Sequence, residues 1–489
     1  MDARSDRASA RASADQPDII ATSSLWDNMD IMREQVLITT LQFDDILDPE
    51  LLRISLVKLI NREGWTKLGG RLRLNKNKKL ELHVPAVFTK ERPAIGFQHQ
   101  HYDVGIAEHA MGSKLVTSPD PERPKFHAPV TEVEPLCLRP GNPRSFKDYS
   151  TSDKPVLNLF VVTFLDATMV SLSWPHCAWD MSAQKEIMDA WRCVLDGRED
   201  EIKPAADLSC DILLETAAKA EEQSEAFILQ EHICRGWRFG VYLMRVIWES
   251  LWGWNAPVPI VLSVPPSYMR SLRDEALASR KSENGSADAF LSDGDILTAW
   301  TARLSAGAVR TAPGRTVTVL SVFDVRGRLP AVYDVSKAYL QNCVMALHTR
   351  MSAGELATDS NRLGTLADAV RQSITEQTTP AQVALHGRVM KEAIENTGNM
   401  PLYGDQSSYT IIMSNWTSAG LLKGDFKSVA KNGRGVPVRV HGTALNLPPV
   451  VSCWHILGKD QTGTYWVIGR PRGVTKEMMM KEFGKDFVQ

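Results

Sequence analysis

Neither sign of charge is in excess. Lys and Arg number 56 against 58 Asp and Glu, a formal net charge of −2 over 489 residues. A strongly basic nucleic-acid binder and an acidic disordered chain are therefore excluded as first readings. Cysteine is sparse: there are seven, an odd number, and no two stand at CxxC spacing. That argues against a disulfide framework and a zinc ribbon, and for a reducing compartment. Apolar runs of the roughly 18 residues a membrane span needs are missing. The longest candidate, Phe239 to Trp254, is broken by Arg245 and Glu249, and it reads as an ordinary packed helix rather than an interfacial membrane helix. The opening MDARSDRASARASADQ has no apolar h-region, so no secretory signal is expected. Its Asp2, Asp6 and Asp15 speak against a transit peptide, and residues 1–17 read as a disordered tail. No repeat of solenoid period occurs, which removes repeat architectures. A soluble, cytoplasmic protein is expected, with no metal.

What is present is ordinary for a globular chain: 43% hydrophobic and 23% charged residues. The length predicts two or three domains, or two large ones. Strand-like and helix-like segments alternate, which points to α/β layers. Val36 to Phe43 reads as a buried strand, and Asp48-Pro49 as the capped start of a helix. Gly69-Gly70 ends that unit before a strand at Arg71 to Leu74. Leu157 to Leu165 and Met169 to Trp174 read as strands joined by a tight turn. A loop follows from Pro175 to Met181, then a helix from Ser182 to Leu195, with Gly197 at its C-terminal cap. Residues 280–288 suggest a mobile loop, Ser292-Asp293 a helix start, and 315–329 a strand. The boundary between two large domains is placed within 200–255.

His176 and Asp180 form His-x-x-x-Asp between a strand and a helix. An imidazole at a strand end can face a cleft and take a proton from a hydroxyl or amine. The Asp four residues on can fix the loop by a charge-assisted bond or cap the helix. Alone the pattern is weak, for His99 and Asp103 share it. His99, however, lies in an alternating edge-strand pattern with no helix after it, and is read as structural. Cys177 points away from its neighbour and is not read as a nucleophile. Arg326 and Arg328 fall on one face of a strand, where one can pair with a buried carboxylate. Ser414 and Trp416 follow the strand Tyr409 to Met413 and offer a hydroxyl and an indole N–H.

In this order these segments resemble the BAHD acyltransferase family, from about Val36 to Phe483. Leu56 with Trp65 to Leu72 is similar to the family's W-x-x-L-G-G-R-L. Ser173 to Asp180 resembles its catalytic loop, Ile260 to Arg273 the strand and helix near its acyl-CoA site, and Ser292 to Trp300 its S-x-x-D-x-L-x-A-x helix. Val325 to Leu329 with Tyr339 to Asn342 resembles V-R-x-R-L followed by Y-x-G-N, and Ser414 to Trp416 the S-x-W segment. Gly424-Asp425-Phe426 and Gly433 to Pro437 look like pieces of the D-F-G-W-G region, which is broken by residues 427–432. Met181 replaces the glycine after the catalytic Asp, and Gln341 the glycine of Y-x-G-N. These departures suit the fungal branch, which includes trichothecene and alkaloid acetyltransferases.

The resemblance implies an α/β fold of two chloramphenicol-acetyltransferase-like domains, each a mixed sheet with flanking helices, and an active-site channel at their interface. It places residues 18–225 in the first domain together with a returning segment near 425–452. Residues 226–424 and 453–489 fall in the second. It implies acyl transfer from a CoA thioester, acetyl-CoA or another acyl-CoA as co-substrate with no permanent cofactor, to a small-molecule alcohol, a terpenoid or alkaloid secondary metabolite. His176 is the expected base, Asp180 its positioner, and Ser414 and Trp416 the oxyanion donors. Arg270, Arg273 and Ser267 are expected at CoA, with Arg326, Arg328 and Asp425 as structural support. A monomer suffices for this plan. A condensation-type enzyme and a non-catalytic binding protein of the same fold are the alternatives.

Overall fold

A computed structural model describes residues 16–207, 211–251, 256–284, 290–309, 312–356, 362–448 and 452–483. Residues 1–15 of the expected tail, and 285–288 of the expected loop, lie outside the described residues. Residues 280–284 belong instead to the helix Pro266–Asn284.

Two mixed sheets carry the fold. The five-stranded sheet runs Arg439–Leu445, Val36–Phe43, Thr168–Pro175, Asn158–Thr163 and Gly96–His101; only its last pair is parallel. Val36–Phe43 and Thr168–Pro175 are buried along their whole length, as central strands covered on both faces should be. The seven-stranded sheet runs Val344–Ser352, Thr316–Asp324, Tyr409–Asn415, Ser452–Lys459, Tyr465–Arg470, Ile260–Val264 and Lys125–His127. Each sheet borrows a strand from the other half of the chain: Arg439–Leu445 comes back to the first, and Lys125–His127 crosses to the second. A small three-stranded sheet holds Ile19–Thr22, Leu80–Val84 and Arg71–Leu74.

Local signals decide the helix ends. Asp48 accepts from the Glu50 and Leu51 amides ahead of Pro49–Ile60. Asp180 caps Met181–Leu195 by accepting from the Ala183 amide, and Ser292 and Asp295 form a capping box on Asp293–Ala306. Gly197, with φ +71°, closes the helix that follows the His176 loop.

The interrupted D-F-G-W-G pieces meet in space. The Phe426 amide donates to the Gly435 carbonyl at 2.7 Å, so the residues between them loop outward. Asp45 holds that loop by accepting from the amides of Asn432 and Arg434. The Phe426 ring wedges edge-on against Phe43 and Trp191 and ties the returning strand to the first sheet's core.

Two further expectations are corrected. The strand expected over 315–329 ends at Asp324, so Arg326 and Arg328 lie in a turn rather than on a common strand face. The helix expected to be packed spans Trp237–Leu251 and presents apolar side chains to solvent. Among the described residues no helix is long and apolar enough to cross a membrane.

Candidate active site

His176 stands where the buried strand Thr168–Pro175 gives way to the loop before Met181–Leu195. Its amide donates to the Gln35 carbonyl at 2.9 Å, and its carbonyl accepts from Asn342 Nδ2 at 2.8 Å. The backbone is thus held on both sides while the ring lines a cavity of about 1120 Å³. Nδ1 is shut off from solvent without a hydrogen-bond partner among the described residues, so the atom available to a reactant is Nε2. Burial lowers the pKa of the ring, against the pull of its own carbonyl and of Asp180 and Asp27. The imidazole is therefore neutral at pH 7, the state a base requires.

The Asp180 carboxylate bonds to groups other than the ring. Arg326 Nη1 and Nη2 donate to its two oxygens, each at 3.1 Å. The Cys343 amide donates to it at 2.7 Å and the Ala183 amide at 2.8 Å. Arg326 also reaches the carbonyls of Tyr339 and Gln341. The V-R-x-R-L and Y-x-G-N segments are thereby clamped to the histidine loop by one buried bidentate pair. Arg328 does not share that role; its side chain is exposed and lines the cavity.

Sequence reading missed a second carboxylate beneath the loop. Asp27 is buried and accepts from the amide and Nδ2 of Asn342, the latter at 2.8 Å. Burial raises its pKa, partly offset by Lys67. Asn342 thus links Asp27 to the His176 carbonyl, and no spacing in the chain signals a contact between residues so far apart.

The facing wall belongs to the seven-stranded sheet. Ser414 and His455 are register partners on its adjacent parallel strands. Trp416 Nε1 donates to Ser414 Oγ at 2.8 Å. The indole N–H expected as an oxyanion donor is thus spent on the serine, and the donor left for a reactant is the Ser414 hydroxyl hydrogen. His455 was not foreseen. Its ring tilts against Trp416 with centroids 4.8 Å apart, lines the cavity, and makes no hydrogen bond to a described residue. Burial first, and then His176, lower its pKa to about 4.

The three residues expected at CoA do not line this cavity. Arg273 is paired with Asp293, Ser267 Oγ donates to the Pro121 carbonyl at 2.7 Å, and Arg270 is exposed on its helix. The cations that do line it are Arg144, Arg328, Arg371 and Arg470. Arg144 pairs with Glu134 and Arg371 with Asp295; Arg470 donates to the Leu447 and Pro448 carbonyls. Asp425 accepts from the Lys427 amide and shapes a local turn. His99 is tied to Thr163 in the edge strand at 2.8 Å. No cluster of three metal-ligating side chains occurs among the described residues.

No protein-family model matches the chain. The O-acetyltransferase PaAT-2 of Phomopsis amygdali is 33% identical over 458 residues, covering 89% of this chain and 91% of that one. A protein of Penicillium decumbens named transcriptional regulator calD is 31% identical, covering 96% of each. Among solved structures, F. graminearum TRI101 with coenzyme A and T-2 mycotoxin superposes with a TM-score of 0.68 at 15% identity, over 95% of this chain and 97% of that one. That likeness shows a shared fold.

Proposed function

From the premise that the chain belongs to the BAHD acyltransferase family, we propose that it transfers an acetyl group from acetyl-CoA to a hydroxyl of an apolar secondary metabolite, with His176 as general base. The observation that carries this reading is a neutral imidazole on a large cavity lined by residues of both sheets, with its carboxylate neighbour bonded to Arg326.

The chemistry follows from the geometry. An alcohol is a poor nucleophile at pH 7, and a positioned base contributes roughly 10²–10⁴ in rate. Nε2 of His176 takes the hydroxyl proton as the oxygen attacks the thioester carbonyl. Negative charge gathers on the carbonyl oxygen, where the Ser414 hydroxyl donates; the Trp416 N–H on Ser414 Oγ orients that hydroxyl. The tetrahedral intermediate collapses, the C–S bond breaks, and His176 returns the proton to the departing thiolate. No acyl-enzyme is needed. Asp180 remains a positioning residue throughout.

The cavity exceeds the roughly 300–1,000 Å³ of ordinary ligand pockets, which leaves room for a pantetheine arm and an acceptor together. We take it as the channel in which donor and acceptor meet. Its Met345, Met390, Met400 and Met413 give an apolar, adaptable wall suited to a terpenoid or alkaloid skeleton. The unit bearing His176 is assigned to residues 18–225 with 425–452, and the facing unit to 226–424 and 453–489. One chain holds both walls, so a cytoplasmic monomer meets the requirements.

The name of the P. decumbens relative favours a second reading, a binding protein that kept the fold. Release of free CoA thiol from acetyl-CoA with a panel of alcohols decides between them. Release that depends on both alcohol and His176 supports the transferase; its absence across the panel supports the binding protein.

A further inference from the structure

The helix Trp237–Leu251 is amphipathic in the reverse of the usual sense. Two of its polar side chains turn into the fold: Glu249 pairs with Arg472 at 2.5 Å and with Arg315 at 2.8 Å, and the Tyr242 hydroxyl lies 3.4 Å from Thr410 Oγ1. Six of its apolar side chains turn out. Trp237 is 68% exposed, Met244 63%, Trp248 62% and Ile247 51%, with Leu243 and Phe239 beside them. Residues three, four and seven apart share a helical face, so Trp237, Met244, Ile247 and Trp248 form one continuous stripe. Such a contiguous apolar patch marks an interaction surface rather than ordinary scatter.

Charge selects the partner. Arg235 and Arg238 are exposed beside the stripe without an acidic partner among the described residues, and Arg245 is exposed as well. The helix's one acid, Glu249, is consumed inward. A second copy packed two-fold on this face would set arginines against arginines. An anionic surface that also accepts apolar side chains does not carry that cost. Tryptophans with flanking arginines are the composition found where protein meets lipid headgroups. We propose that this helix docks the protein on anionic phospholipid membranes, lying in the interface with Trp237, Met244, Ile247 and Trp248 inserted and the arginines at the phosphates. The proposal is independent of the acyl-transfer reading, because none of these residues belongs to the reaction cavity.

The test is sedimentation of the full chain with phosphatidylcholine vesicles, with and without phosphatidylserine, together with its mass in solution. Binding is expected only where phosphatidylserine is present, and is expected to weaken with salt. Met244→Glu with Ile247→Glu is expected to weaken it about ten-fold or more, while turnover and circular dichroism stay unchanged. Arg235→Gln and Arg238→Gln are expected to cost roughly five-fold each. No sedimentation, sedimentation indifferent to lipid charge, or a solution dimer that the double Glu variant splits into monomers overturns the proposal; the last outcome assigns the face to a second copy.

Discussion

On the wall that carries His176, the backbone on both sides of the ring is bonded, Asp180 accepts four hydrogen bonds, and Asn342 is shared between Asp27 and the histidine carbonyl. On the facing wall, Ser414 and Trp416 bond to each other and the His455 imidazole bonds to no described residue. The contrast separates two tasks. A base must sit at a fixed distance from the reacting atoms, so its loop is held by several hydrogen bonds at once. A wall that receives acceptors of varied shape works with few fixed polar atoms and a yielding apolar lining.

The sharpest break in this comparison comes from the rigid side. His176→Ala is expected to lower kcat by about 10²–10⁴ with folding intact, read as thiol release. Unchanged turnover would remove the general-base assignment. Arg326→Met tests the clamp rather than the chemistry. It leaves Asp180 buried without its counter-charge, and removal of one partner from such a pair costs about 3–5 kcal/mol. A fall in unfolding midpoint accompanied by lost turnover is expected; Arg328→Met, on an exposed side chain, should leave the midpoint in place. Ser414→Ala is next in size. Loss of one oxyanion donor costs on the order of 10²-fold in kcat, and Trp416→Phe should cost less, since its N–H acts through the serine.

The rigid wall was largely legible in the sequence. His176, Asp180, the strand before them and the helix after them are contiguous, and periodicity with capping residues fixes such units locally. Arg326 and Arg328 were the two arginines expected to offer a partner to a buried carboxylate; that carboxylate is Asp180, and the turn after Asp324 selects Arg326 by leaving Arg328 in solvent. Asp27 and Lys67 were not visible, because their effect depends on chain segments that meet only in the fold. His455 was hidden differently: it sits in an apolar strand whose neighbours are all buried, and nothing in that alternation separates a histidine facing a cavity from one packed in a core. The outward face of Trp237–Leu251 was missed because hydrophobic periodicity gives the width of an apolar stripe but not the direction it faces.

Acid sharpens the comparison by acting on both walls at once. The His176 pKa lies below the usual 6.5, so kcat/KM should hold as pH falls through 6.5 and decline only beneath it. An acid limb centred at or above 6.5 would contradict the burial argument. Stability moves in the same range. His386 and His455 are held down to about 4, and His127 and His441 to about 3. The unfolded chain therefore takes up protons before the folded one does, so stability present above pH 6.5 is lost progressively as pH falls toward 4 and below. Rates must be taken well under the unfolding midpoint at each pH to keep the two effects apart.

The smallest expected effect belongs to the loose wall, and it discriminates best. His455 lines the cavity beside Ser414, its ring against Trp416, but it is neutral and hydrogen-bonded to no described residue. A neutral imidazole there can hydrogen-bond an acceptor's polar group without handling the transferred proton. His455→Phe keeps the ring against Trp416 and removes the polar atoms. It should raise KM for hydroxylated acceptors several-fold, about the worth of one hydrogen bond, while leaving kcat and the pH profile in place. His455→Asn should restore part of the loss. If kcat instead falls as far as in His176→Ala, or the acid limb shifts, then His455 takes part in proton transfer and the division of labour between the two walls fails.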